Sequence, residues 1–280
     1  MHEAHWIAGG VAWASVGLDI PVVCKEADFP VAWKVGYDTP MRGLLGHYRR
    51  TAYFIAMTDA IRTGLLEAGI EKQKISIIPN GVEIPERMAE FVDSQDVVYI
   101  GNLTQGSVRK AFDVLFEAWA QVAQKNISAR LIVLGAGDPA VWQQFLSKKG
   151  CLQSVTFKGT VADVSLYLKN ARVFVLPSRV EGLSNALLEA MSWGVPPVIS
   201  DIETHRSVVQ NEENGLVVPV NNSELLAQAI LKLLDDEEIC MRLSHKARET
   251  IEEKYSIEIV SSALIELYMK LIRHNESGEG

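Results

Sequence analysis

Short apolar, β-branched runs recur along this chain, and stretches of helical periodicity lie between them. That alternation restricts the fold more than any other feature. The runs are Ile20–Cys24, Tyr53–Met57, Ile75–Pro79, Val97–Gly101, Arg130–Leu134, Val155–Phe157, Val173–Leu176, Pro197–Ser200 and Gly215–Val218. They are apolar throughout, as parallel strands covered on both faces are. Between them the period is 3.6: Ala111–Gln124 places Phe112, Leu115, Phe116, Trp119 and Val122 on one face. Strand and helix in regular succession predict an α/β fold of parallel sheets with right-handed crossovers.

At 280 residues the chain has the length of two domains. A polar stretch from Glu83 to Asp96 follows the turn at Pro79-Asn80-Gly81-Val82, and a fresh strand begins after it. The expected division is a partial Rossmann-like domain over 1–84, a linker over 85–96 and a complete Rossmann-like domain over 97–255. A C-terminal helix and tail over 256–280 is expected to pack back toward the first domain. The first domain has three candidate strands, fewer than the usual sheet of about five or six. Near the end, Asn222–Asp235, Glu237–Glu253 and Ile257–Ile272 read as helices. The last carries Ile259, Ala263, Leu267 and Leu271 as its stripe, and His274–Gly280 reads as a frayed tail. Ala8–Val16 also has a helical pattern.

Composition removes several classes of function. With 48% hydrophobic and 22% charged residues the chain is globular. It has 27 basic and 35 acidic side chains, a net charge of −8, and neither half is basic. That argues against a general nucleic-acid binder and leaves room for a local pocket for one phosphorylated small molecule. Cys24, Cys151 and Cys240 are widely spaced with no Cys-x-x-Cys, which suggests a reducing compartment. No apolar run approaches the roughly 20 residues of a membrane span, and Met1-His2-Glu3-Ala4-His5 does not resemble a secretory signal. The expected location is cytoplasmic, with peripheral contact at the inner face of the membrane left open. No His, Cys and carboxylate cluster has metal-ligand spacing, so no metal is expected.

The chemistry concentrates in Val173-Phe174-Val175-Leu176-Pro177-Ser178-Arg179-Val180-Glu181-Gly182-Leu183-Ser184-Asn185-Ala186-Leu187-Leu188-Glu189. A buried strand ends at Pro177, a loop carries Glu181 and Gly182, and a helix opens near Ser184. Glu181 therefore lies outside the carboxyl end of a parallel strand, where α/β sheets bind ligands. Backbone N–H groups from Gly182 through Leu183 and Ser184 to Asn185 form an anion site at the helix start. Glu189 lies one turn on, on the face of Asn185, where a carboxylate can accept two hydrogen bonds from a ribose diol. The plainer reading makes Glu181 and Glu189 solvated helix-start carboxylates. Likewise Asn80-Gly81, Gly135 and Gly137 read as turn residues, His2 and His5 as structural or surface residues, and His205 as a residue near the cleft. The acidic run Asp235–Glu238 reads as a helix junction, and Trp6, Trp13, Trp33, Trp119, Trp142 and Trp193 as packing residues.

Glu181 and Glu189, with seven residues between them after an apolar strand and Pro-Ser, resemble the E-x7-E signature of the family 4 glycosyltransferases. Other motifs follow in the family's order. Ile77-Ile78-Pro79-Asn80-Gly81-Val82 resembles "IPNGV". Ile100-Gly101-Asn102-Leu103 with Arg109-Lys110 resembles the "GR…KG" segment. Leu131-Ile132-Val133-Leu134-Gly135-Ala136-Gly137 resembles "ivGxG". Phe157-Lys158-Gly159-Thr160-Val161 resembles the base-proximal "fxGxv" loop, and Asn214-Gly215-Leu216-Val217-Val218 resembles "NGllv". The resemblance implies a GT-B fold of two Rossmann-like domains and a retaining transfer from a UDP-, GDP- or ADP-linked sugar to a glycan, lipid or small-molecule acceptor. It also implies that no resident cofactor or metal takes part. Carried over, Lys110 with Arg109 contacts the donor diphosphate, and the Gly182–Ser184 backbone holds the distal phosphate. Glu189 binds the ribose and Glu181 faces the transferred sugar. Gly101, Asn102, Gly135, Lys158, Thr160, Val161, Leu183 and Asn185 line the donor side.

The chain departs from that pattern in four places. Asn102 stands where the family has the arginine of "GR". Lys25-Glu26-Ala27-Asp28, without a histidine, follows Pro21-Val22-Val23-Cys24. Ser207 stands where a glutamate is common, with Glu203 nearby as a substitute. The strand and Gly-rich loop with which family members begin have no counterpart ahead of His2-Glu3-Ala4-His5, and Gly9-Gly10 does not replace them. The expectation is therefore a shortened first domain, or a missing N-terminal segment, and a nucleotide-sugar-binding remnant with little transferase activity stays open as the alternative.

Overall fold

The computed structural model describes residues 22–26, 52–91, 93–103 and 108–276. The expected start of the first strand at Ile20, the helical run Ala8–Val16, His2, His5, Trp6, Trp13, Trp33 and residues 277–280 lie outside the described residues. The chain divides into two compact units, one of Met1–Gly81 with Ile257–Gly280, the other of Val82–Ser256.

In the first unit, β1 (Val22–Glu26), β2 (Ala52–Ala56) and β3 (Ile75–Ile77) form a parallel sheet in that order. Helix α1 (Asp59–Glu67) starts at Thr58, whose Oγ1 accepts a hydrogen bond from the Ile61 N–H at 3.2 Å, a standard N-cap. The C-terminal helix, Ile257–Glu276, packs Val260 against Ile55 and Ile78, with Val23, Ala263, Leu264 and Leu267 around them. Leu271 is buried too. This corrects the expected stripe. Ile259 is 43% exposed, because it sits about 100° from Val260 around the helix and the buried line runs through 260, 264, 267 and 271. The helix also runs past Ile272, since no Gly or Pro interrupts it before Glu276.

The second unit alternates strands and helices. In chain order these are β4 (Asp96–Ile100), α2 (Phe112–Lys125), β5 (Arg130–Leu134), α3 (Ala140–Lys148), β6 (Val155–Gly159), α4 (Ser165–Leu168) and β7 (Val173–Leu176). Then come α5 (Asn185–Ser192), β8 (Pro197–Ser200), α6 (Glu203–Arg206), β9 (Leu216–Val218), α7 (Ser223–Asp235) and α8 (Glu237–Lys254). The six strands are all parallel, in the order β6-β5-β4-β7-β8-β9. Every residue of β7 and β8 is buried, which accounts for their unbroken apolar sequence. Pro197 is tolerated because it is the first residue of its strand.

The five residues expected on one face of α2 are all buried. Phe112, Phe116, Trp142 and Phe157 form an aromatic group with neighbouring centroids 5.1 to 6.1 Å apart. The Trp119 indole N–H donates to Ser154 Oγ at 2.9 Å. The polar stretch before β4 lies in this unit. Its Ala89 and Glu90 N–H groups donate to the Trp193 and Lys169 carbonyls at 2.7 and 2.8 Å, and Arg248 donates to the Pro85 carbonyl at 2.7 Å. Asp236 ends α7 and caps α8, accepting from the Ile239 N–H at 2.9 Å.

From β4 the chain steps outward through β5 to β6, then returns to the other side of β4 and steps outward through β7, β8 and β9. The direction reverses between β4 and β7. Loops leaving their carboxyl ends diverge, and a crevice opens there.

Candidate functional site

Two loops leave the sheet at that reversal. The one after β4 carries Arg109 and Lys110, and the one after β7 carries Ser178, Arg179 and Glu181. The Lys110 ammonium donates to Glu181 Oε1 at 2.5 Å, and the buried Ser178 hydroxyl donates to the same oxygen at 2.8 Å. The Thr204 hydroxyl donates to the Glu181 main-chain carbonyl at 3.1 Å. Glu181 is thus fixed at both side chain and backbone while only 9% exposed. Two residues 71 positions apart in sequence meet because their strands are neighbours at the switch point.

A buried polar layer lies beneath this pair. Ser200 donates its hydroxyl to the Ser178 carbonyl, and His205 Nδ1 lies 3.0 Å from the Ser200 carbonyl. Burial holds the His205 imidazole neutral by lowering its pKa to about 4, against the opposite pull of the Ser200 carbonyl and of Glu181. The Nδ1–H is then the donor to Ser200. Among the described residues, His205 Nε2 and the Tyr99 hydroxyl find no hydrogen-bond partner, although both are buried. Burial, and then the charge of Glu181, push the Tyr99 phenol far above its ordinary pKa.

Beyond Glu181, Gly182 and Leu183 lead into α5. Ser184 caps it, its Oγ accepting from the Leu187 N–H at 3.4 Å. The first turn of α5 opens on the carboxyl side of the sheet, where a helix start can present its N–H groups to an anion. Asn185 is exposed in that turn. Glu189, one turn along, is partly buried, and burial raises its carboxyl pKa above the usual range.

Gly101, Asn102 and Gly135 form a backbone floor beside the crevice. Gly135 has φ +142°, and a Cβ there would stand 2.2 Å from the Gly101 carbonyl oxygen. Gly137 at φ +128° would meet the Leu103 oxygen at 2.3 Å. These are close approaches of two main chains as well as turns. Asn102 Oδ1 accepts from the Ala136 N–H at 2.9 Å, so this side chain pins the adjoining loop. Gly135 in turn donates to Gly159 at 2.8 Å, linking the ends of β5 and β6.

Lys158, Thr160 and Val161 follow on the edge strand β6 and its loop, with β5 and β4 between them and β7. Lys158 is exposed, its ammonium 5.9 Å from the Tyr167 ring centroid. They form a far rim and are not part of the Lys110–Glu181 group. Ser207 donates its hydroxyl to the Thr204 carbonyl at 2.7 Å.

Sequence reasoning assigned no role to Ser178, Thr204, Tyr99 or Arg179. Arg179 grips the other loop: its guanidinium takes both oxygens of Asp113, at 2.9 and 2.6 Å, and the Val108 carbonyl at 2.7 Å. Its own N–H donates to the Arg109 carbonyl at 2.7 Å. Nothing in the spacing of Arg179 and Asp113 links them. Among the described residues, no three His, Cys, Asp or Glu side chains gather as metal ligands, and no helix is long and apolar enough to cross a membrane. A cavity of about 760 Å³ at the opposite, amino ends of the strands is lined by Met88, Phe91, Asp96, Arg130, Met241 and His245. Its guanidinium is already paired with Asp96 at 2.6 Å.

Residues 94–236 match the family model described as Glycosyl transferases group 1. A glycosyltransferase of Haemophilus influenzae is 28% identical over 206 residues, covering 73% of this chain and 57% of that protein. The lipopolysaccharide core biosynthesis glycosyltransferase LpsE of Rhizobium meliloti is 27% identical, covering 92% of this chain and 74% of that one. This chain spans little more than half the length of several such relatives, 57% and 54% in two of them. Among solved structures, Anabaena HepE in complex with UDP superposes with a TM-score of 0.83 at 19% identity, over 94% of this chain and 76% of that one.

Proposed function

From the premise that this chain belongs to the glycosyl transferases group 1 family and has the GT-B fold, we propose that it transfers a sugar from a nucleotide diphosphate sugar to a carbohydrate or lipid-linked acceptor. The donor is UDP-, GDP- or ADP-linked, and transfer proceeds with retention of anomeric configuration, as in family 4. One observation carries this reading above the rest: the Lys110–Glu181 pair stands at the switch point of the sheet, beside the opening turn of α5.

The arrangement supplies the charges that such a transfer requires. The bond between the anomeric carbon and the distal phosphate oxygen breaks, and the acceptor oxygen bonds to that carbon on the same face. The acceptor proton passes to the departing phosphate. Negative charge grows on that phosphate, and Lys110, Arg109 and the amides from Gly182 to Ser184 are assigned to meet it. Glu181, held by Lys110, Ser178 and Thr204, faces the sugar without having to reorient. Glu189 accepts from the two ribose hydroxyls, which offsets the burial that disfavours its charge. Lys158, Thr160 and Val161 form the rim toward the base. The setting is cytoplasmic, where the buried thiols of Cys151 and Cys240 stay reduced, with peripheral contact at the inner membrane face.

Turnover of UDP-, GDP- and ADP-sugars, followed by NMR of the product's anomeric proton, tests this reading. The product should keep the donor configuration, and Glu181→Ala should slow transfer by about 100-fold or more. An inverted product contradicts retention. Donor binding without turnover in the parent chain contradicts transfer.

A further inference from the structure

Lys110 is followed by Ala111, whose φ of +52° and ψ of +44° lie in the left-handed region. A residue with a Cβ occupies that region only at a cost, which glycine escapes. Such a conformation persists only where surrounding contacts hold it. The contacts of Arg179 bracket this residue on both sides. Upstream, Arg179 donates to the carbonyls of Val108, through its guanidinium, and Arg109, through its main-chain N–H, both at 2.7 Å. Downstream, its guanidinium takes both carboxylate oxygens of Asp113 in the first turn of α2. Its Nε donates to Asn221 Oδ1 at 2.5 Å, anchoring the whole to the turn after β9.

We propose that Arg179 is a positioning residue: it holds residues 108–113 around the strained Ala111, so that Lys110 stays where the donor diphosphate is to bind. This rests on the reading of Lys110 as the diphosphate contact. An isolated surface ion pair contributes little. Here the pair is bidentate, the side chain of Arg179 is only 23% exposed, and further bonds lock the guanidinium plane. The pairing also lowers the Asp113 pKa and raises that of Arg179, so both stay charged at neutral pH. A lysine cannot reproduce the fork. Arg179 acts through Lys110 and is assigned no contact with the donor.

The test compares the full chain with Arg179→Ala, Arg179→Lys and the double variant Arg179→Ala/Ala111→Gly. Three quantities are read: amide exchange of the 108–113 peptide by mass spectrometry, affinity for UDP, GDP and ADP, and Tm. In Arg179→Ala, exchange over 108–113 should rise about tenfold while the peptide covering α5 exchanges as in the parent. Affinity for the nucleotide that the parent binds should fall about tenfold, and Arg179→Lys should lose nearly as much. Adding Ala111→Gly should restore about threefold of that affinity, because glycine holds the left-handed turn without the clamp. Unchanged exchange over 108–113 in Arg179→Ala overturns the proposal. So does an affinity loss that tracks a fall in Tm and that Ala111→Gly does not recover. A parent chain that binds none of the three nucleotides defeats the transferase reading instead, and the exchange measurement still decides whether Arg179 holds the segment.

Discussion

His205 stays neutral in the folded chain because it is enclosed beneath Ser200, with a pKa near 4. An unfolded histidine titrates near 6.5. As pH falls from about 6.5 toward 4, the unfolded state takes up a proton that the folded state refuses, so stability is present above that window and lost within it. A shift of this size corresponds to about 3 kcal/mol. Urea unfolding between pH 7 and 4 should show that slope, and His205→Asn should flatten it; an equal slope in the variant would exclude His205 as its source. The same scale shows what the sequence makes legible. Glu181 and Glu189 stand out in the sequence because they flank the start of a helix that follows a recognisable strand, and Lys110 because it falls in a segment that resembles a family motif. Arg179 could not be assigned a role, because its partner Asp113 is 66 residues away and only the adjacency of β4 and β7 joins them. Tyr99 reads as one more strand aromatic; its orphaned hydroxyl appears only once the fold encloses it.

The nine strands among the described residues are legible as elements because most are largely apolar runs between turn signals, and all are parallel as expected. Their ends are less so. β6 runs on to Gly159, past the expected Phe157, and the Gly159 carbonyl accepts from Gly135 beside it. The phase of the C-terminal helix is ambiguous in the sequence at Ile259, because Ile259 and Val260 are both apolar and only packing chooses between them. The glycines after β5 read as turn residues, yet their closest constraint is tertiary. Gly135→Ala places a Cβ against the Gly101 oxygen at a positive φ, and should destabilise the chain by more than about 2 kcal/mol in urea unfolding. Gly150→Ala is a useful control: its φ is +72° but nothing stands within 4 Å of the added Cβ, so a loss confined to backbone strain, about 1 kcal/mol, is expected there. Equal losses at the two positions would contradict the close approach.

At the scale of the whole molecule, an acidic chain of net charge −8 gathers cationic groups and a helix start at one reversal point of one sheet. The arithmetic of composition could exclude a broad basic surface; it could not place Lys110 on Glu181, which takes the strand order β6-β5-β4-β7-β8-β9. Burial makes ionised Glu189 unfavourable in the unliganded chain. A folded carboxyl pKa raised above its unfolded value means that stability falls as pH rises through that range. Glu189→Gln should therefore raise Tm at neutral pH while weakening nucleotide binding, a trade expected of a binding residue and not of a packing one. Calorimetric titration with UDP, GDP and ADP tests the central claim most directly. At least one should bind at one site per chain, Lys110→Ala should weaken it by about tenfold or more, and Glu189→Gln should weaken it despite the higher Tm. Absence of binding by all three, or binding unchanged by both substitutions, would contradict a nucleotide-sugar site at the β4–β7 crevice.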